Sequence, residues 1–203
     1  VLGVQHAKVQ VVDDSVIISG ANLSQSYFED RKDRYMLIED AQVADFYHRL
    51  LGVVQSGSYM IGSVGVMTES TLLGDPQKQA AVFARNFQGA VNSLLQERLN
   101  LAYADHVSRC TLQEFNEEGA VWLLPTLQMG VCDVRVDETM TAQMLKELSS
   151  SKDCQVVVAS GYFNLTHKFQ HLFHATKDTT IVVASPQANA WWNSTGRYSR
   201  FVP

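Results

Sequence analysis

From Asp137 to Ser185 the chain alternates two hydrophobic periods, and that alternation restricts its fold more than any other feature. DETMTAQMLKELSS (137–150) and NLTHKFQHLFHATK (164–177) carry apolar residues at helical spacing, whereas CQVVVASG (154–161) and TTIVVAS (179–185) are β-branched runs of strand length. Strands alternating with helices imply βαβ crossovers, so this half is expected to build a sheet buried on both faces. AVWLLPTLQM (120–129) and VCDVRV (131–136) read as two more strands.

The first half follows a different pattern. KVQVV and SVIIS, joined by Asp13-Asp14, predict a β-hairpin over Lys8–Ser19. Asn22–Asp33 is polar and turn-like, and RYMLIE (34–39) reads as a strand. AQVADFYHRLLGVV (41–54) places Val43, Phe46, Leu50 and Val54 at helical spacing, giving β-β-β-α. A Gly/Ser-rich stretch (55–66) follows. Pro76 is then expected to open a long helix to about Tyr103, with Phe83, Phe87, Val91, Leu94 and Leu95 along one side to brace the sheet. At 203 residues and 46% hydrophobic content there is material for one core or two small ones, and the expected class is α/β. A net charge of −5 argues against a broad nucleic-acid surface, so any phosphate chemistry is local. Cys110, Cys132 and Cys154 are odd in number and widely spaced, which points to a reducing compartment. No apolar run approaches the roughly 18 residues that span a bilayer.

The chemistry concentrates near the start, in GVQHAKVQVVDDSVIISGANLS (3–24). Strand alternation sends His6 and Lys8 to the same face and Ala7 and Val9 to the other. A cation beside an imidazole does not stabilise a core, because both resist burial without an anion between them. A phosphate is such an anion: the ammonium holds an oxygen, the neutral imidazole attacks phosphorus or carries a proton, and Asn22 in the Gly20-Ala21-Asn22 turn donates to another oxygen. Asp13, an odd interval away at the turn, is expected to support the hairpin.

His-x-Lys-x4-Asp followed after six residues by a Gly-x-Asn turn resembles the HKD motif of the phospholipase D superfamily. The continuation SGANLSQSYFEDRKDRYMLIED, with LLPTLQMGVCDVRVDE (123–138), SGYFNLT (160–166) and VVASPQANAWW (182–192), is similar to the phosphatidylglycerophosphate synthase branch. The superfamily more often has Gly-Ser-x-Asn at the turn, and the turn here is one residue shorter. The resemblance implies a phospholipase D-like mixed sheet flanked by helices. Residues 1–70 would be the C-terminal part of a first domain, 71–118 a long bracing helix and connection, and 119–203 the N-terminal part of a second domain. It implies phosphatidyl transfer from CDP-diacylglycerol to glycerol 3-phosphate through a phosphohistidine, without metal or other cofactor, at the mitochondrial inner membrane as a peripheral protein. The catalytic set implied is His6 as nucleophile with Lys8 and Asp13. Asn22 would bind substrate, and Asp33 matches the acidic position that accepts a hydrogen bond from a catalytic imidazole. An equal reading makes Asp33 a surface acid beside Arg34.

The superfamily's site needs two such motifs. None of His48, His106, His167, His171 or His174 begins a second one, so half the site is missing. The chain, starting at Val1 without Met, is expected to be an internal piece that stops before the second motif and is inactive alone. Two alternatives use the same residues: a single-motif nuclease completed by homodimerisation, and a non-catalytic subunit or scaffold. SGYFNLT echoes SGANLS without a preceding His-x-Lys. Tyr162, Asn164 and Thr166 either line the substrate pocket or cap a helix at Asn164 or Thr166. His167, His171 and His174 read as a solvated helix face rather than a zinc site. Trp191-Trp192 beside Arg197, Tyr198 and Arg200 is either an interfacial anchor or core packing.

Overall fold

A computed structural model describes residues 6–65, 67–69, 72–111, 121, 123–150, 154–161, 163–176, 178–185 and 188. The chain divides into two compact units, residues 1–124 with 129–134, and residues 125–128 with 135–203.

The first unit is built on an antiparallel sheet in the order β1 (Lys8–Val12), β2 (Ser15–Ser19), β3 (Tyr35–Glu39). The expected hairpin forms. Its two-residue turn puts Asp13 at φ +48, a left-handed conformation that Asp tolerates better than β-branched residues do. Directly opposed residues share a face, so Val11, Val16 and Ile38 form one apolar row and Gln10, Ile17 and Leu37 lie on the other side. Val16 is fully buried, while Leu37 is exposed.

Between β2 and β3 the stretch expected to be all turn holds a one-turn helix, α1 (Gln25–Glu29). Helix α2 (Ala41–Ser56) packs against all three strands and buries Ala44, Phe46 and Leu50. It starts where Asp40 Oδ1 accepts the amides of Gln42 and Val43, both at 2.9 Å. The Asp40 amide donates to the Asp14 carbonyl at 2.9 Å, tying the hairpin turn to the helix start.

The Gly/Ser-rich stretch holds the first strand and turn of a second small hairpin, β4 (Tyr59–Ile61) with β5 (Met67–Glu69) just beyond it. Helix α3 (Ala80–Thr111) begins four residues after Pro76. Asp75 Oδ1 accepts from Gln77 and Lys78 at 2.8 and 3.1 Å, so Pro76 belongs to a capped turn ahead of the helix. As the periodicity predicted, Phe87, Val91 and Leu94 are buried, and α3 lies against α2. Arg49 on α2 meets the Glu97 carboxylate with two bonds of 2.9 and 2.6 Å.

The expected strands over 120–136 are corrected. Pro125 has no amide to donate, and among the described residues of this stretch only two-residue strands form, β6 (Gln128–Met129) and β7 (Val134–Arg135), separated by a 3-10 turn at Gly130–Cys132. In the second unit α4 (Val136–Ser150), β8 (Gln155–Ser160), α5 (His167–Ala175) and β9 (Asp178–Val183) follow the predicted alternation. β8 and β9 are parallel in register from Gln155 opposite Asp178 to Ser160 opposite Val183, with α5 as the crossover. The expected burial of both faces is not reached: among the described residues Val157, Ile181, Val182 and Val183 stay exposed. Glu138 joins α4 to α5 by a 3.1 Å bond from Lys168 and also receives Arg135 at 3.3 Å.

Candidate functional site

Lys8 opens β1 opposite Ser19, the last residue of β2, and Ser19 stands opposite Tyr35, the first residue of β3. The residues just before β1, just after β2 and just before β3 therefore meet at one end of one sheet. His6, Lys8, Asn22 and Asp33 all belong to that end. The register of the hairpin assembles four side chains that the sequence spreads over twenty-eight positions.

The turn after β2 is shaped by two side chains. Asp33 Oδ1 accepts the Gly20 amide at 3.1 Å and the Arg34 amide at 2.8 Å. Ser19 Oγ accepts the Ala21 amide at 2.8 Å. Ala21 is 4% exposed, so it plugs into the core and its neighbour Asn22 is left facing solvent. The Ser24 amide closes the turn on the Asn22 carbonyl at 2.8 Å, and the Asn22 side chain is exposed. A Cβ at Gly20 would stand 2.8 Å from Asp33 Oδ1, so this position admits only glycine while the carboxylate keeps its place.

His6 is exposed, and Lys8 Nζ donates to the His6 carbonyl at 2.7 Å. The ammonium is thereby held back along its own strand toward the histidine, and among the described residues no carboxylate pairs with it. An exposed imidazole, a held ammonium and a carboxamide at one sheet end are the kinds of group that can bind an anion and attack it.

The other candidates are distributed differently. Asp13 lies past the far end of β1, about 17 Å of strand from Lys8 at 3.3–3.4 Å per residue, and acts in the hairpin turn. The hydrogen bond from the Gly20 amide to Asp33 makes this acid a turn-holding residue, and its signal in the sequence is a glycine at a strand end facing an acid just before the next strand. In the second unit Asn164 lines an open cleft of about 490 Å3 with Phe163, Leu165, Phe173, His174 and Ile181. Thr166 takes the N-cap position of α5 without a side-chain cap bond, and Asn164 is exposed. Tyr162 lies outside the described residues, as do Trp191, Trp192, Arg197, Tyr198 and Arg200. His167, His171 and His174 are exposed along α5. Cys132 is buried, and burial pushes its thiol above the ordinary range, which suits a packing residue better than a nucleophile.

Along nearly its whole length the chain is similar to proteins of one class, the phosphatidyltransferases. These relatives are named CDP-diacylglycerol–glycerol-3-phosphate 3-phosphatidyltransferase. The human mitochondrial protein is 30% identical over 210 residues, covering 96% of this chain and 37% of that one. The mouse mitochondrial protein is likewise 30% identical over 210 residues, covering 96% and 38%. A Dictyostelium discoideum protein with the same name, prefixed as probable, is 29% identical over 206 residues, covering 96% and 35%. The chain thus spans little more than a third of the length of the curated relatives it matches. No protein-family model matches the chain, and no solved structure does.

Proposed function

We propose that this chain carries one half of the catalytic centre of a phospholipase D-type phosphatidyltransferase that makes phosphatidylglycerophosphate from CDP-diacylglycerol and glycerol 3-phosphate. The observation that carries the reading is the convergence of His6, Lys8 and the Asp33-held Gly20–Asn22 turn at one sheet end. The names of the relatives supply the substrates, and those described as mitochondrial support placement in the mitochondrion. Among the described residues no helix is long and apolar enough to cross a membrane, which fits peripheral attachment at the inner membrane.

In this reading an imidazole nitrogen of His6 attacks the phosphatidyl phosphorus, the bond to CMP breaks, and a phosphohistidine forms. Lys8 and Asn22 hold the non-bridging oxygens as charge builds on them. A second histidine, supplied by chain outside this sequence, protonates CMP as it leaves. It then takes the proton from a glycerol 3-phosphate hydroxyl, which attacks phosphorus and frees His6. Asp33 is a positioning residue: by fixing Gly20 it fixes the direction in which Asn22 is presented.

CMP release from CDP-diacylglycerol and glycerol 3-phosphate tests this. The 203-residue chain alone should release none, and a longer polypeptide containing it should be active. In that longer enzyme His6→Ala should lower turnover by about a thousandfold or more, and Lys8→Ala by roughly a hundredfold. Unchanged turnover in His6→Ala would refute the nucleophile assignment, and nicking of DNA by the purified chain would favour the single-motif nuclease instead.

A further inference from the structure

From Leu50 to Thr68 the sequence contains no charged residue, and the β4–β5 hairpin lies inside that stretch except for Glu69, the last residue of β5. Tyr59 faces Glu69, Met60 faces Thr68 and Ile61 faces Met67. The Gly65 amide donates to the Gly62 carbonyl at 2.9 Å, which makes Ser63 and Val64 the corner of the turn, and Gly65 then takes φ +75. At the tip Val64 is 83% exposed and Ile61 73%, with Met60 at 51% beside them. The base is tied down: Tyr59 Oη accepts from Gln77 Nε2 at 3.3 Å.

Single exposed apolar side chains are ordinary on a protein surface. Several on one tip, with the one charge of the hairpin, Glu69, at its base opposite Tyr59, make an apolar point. A protein partner would ordinarily be met by a polar, charge-bearing rim, which the tip from Met60 to Thr68 lacks. The dimensions suit a lipid surface. Three strand residues carry the tip about 10 Å beyond Tyr59, the depth to which an interfacial element sinks below the headgroups. Tyrosine is a side chain that settles at the headgroup level.

We propose that the β4–β5 hairpin is a membrane-contact element. Ile61 and Val64 enter the headgroup–acyl boundary of a phospholipid bilayer, with Tyr59 at the interface, and hold the protein against the surface from which it draws its substrate. That purpose rests on the lipid-substrate reading above, but the contact itself is measured without turnover. Because the segment carries no cation, attachment through it depends little on salt or on anionic lipid.

The test is co-sedimentation of the full chain with vesicles of pure phosphatidylcholine and with vesicles of phosphatidylcholine and phosphatidylglycerol in equal parts. The chain should bind both, and binding should survive high salt. Ile61→Asp with Val64→Asp, both at exposed positions, should lower the vesicle affinity by about tenfold or more while leaving circular dichroism unchanged. In a Val64→Trp variant the emission of the introduced indole should shift to shorter wavelength on adding vesicles and be quenched by brominated acyl chains. Undiminished binding by the double aspartate variant, binding abolished by salt, or an emission of the introduced indole that neither shifts nor is quenched would each overturn the proposal. A longer enzyme that releases no CMP while the chain still binds through the hairpin would instead refute the catalytic reading alone.

Discussion

Gly20 and Asp33 are thirteen residues apart, yet each sets what the other is allowed to be. The carboxylate stands where a Gly20 side chain would go, and the amide it accepts is the first of the turn that presents Asn22. Asp33→Ala should therefore destabilise the chain by about 1 kcal/mol, the usual net worth of such a bond at a solvent-exposed site. Gly20→Ala should cost a similar amount by pushing the carboxylate aside. The two costs come from the same disrupted contact, so the double variant should be scarcely less stable than either single one. Urea unfolding of all four proteins measures this coupling, and additive losses would show that the contact does not hold the turn. In the longer enzyme the same variants should lower turnover more than they raise KM, because a misdirected Asn22 weakens the transition state first.

The elements divide into those announced by long periodic patterns and those that local chemistry overrides. The helical spacing of Phe46 and Leu50 in α2, and of Phe87, Val91 and Leu94 in α3, corresponds to side chains that are buried. The β4–β5 hairpin was hidden because Gly and Ser dominate its stretch and its strands are only three residues long. Pro76 misled the start of α3 because Asp75 uses its carboxylate to cap the turn that Pro76 occupies. LLPTLQM looked like a strand by composition, but a proline within it removes the donor that a ladder needs. Capping has a measurable consequence at α2, where Asp40 satisfies two amides that the helix itself leaves open. Asp40→Ala should cost about 1 kcal/mol, and Asp40→Ser should recover most of it. A thermal-denaturation series with unchanged midpoints would mean that burial of Phe46 and Leu50 alone fixes the start of the helix.

At the scale of the molecule, the sequence disclosed the residues of the candidate site but not how they are held. His6, Lys8 and Asn22 were legible as residue types at a spacing, whereas the Asp33 contact depends on a register that brings two strand ends together. The parallel pair β8–β9 was equally legible, but two strands are too few for the helices to bury them on both faces, so Val157, Val182 and Val183 remain in solvent. Surface charge contributes to how the whole chain responds to pH. Asp75 is held below the ordinary carboxylate range by hydrogen bonds from the Lys78 ammonium and amide. Glu97 is held down by Arg49, and Glu138 by Lys168 first and Arg135 second. Each folded-state value lies below its unfolded one, so between them the unfolded chain binds more protons and stability rises with pH. The contribution is complete above the unfolded carboxylate value of about 4 and is lost as the pH falls through the lower folded values. Urea midpoints measured from about pH 6 down to about pH 3 should therefore fall on acidification. Because the basic partner of each pair is exposed to solvent, added salt should flatten the dependence. Lys168→Met isolates one part of it: Glu138 should titrate at a higher pH by NMR, and the acid-side slope should shrink. A midpoint that stayed flat, or a Glu138 titration unmoved by Lys168→Met, would mean that these carboxylates are no better solvated by their partners than by water.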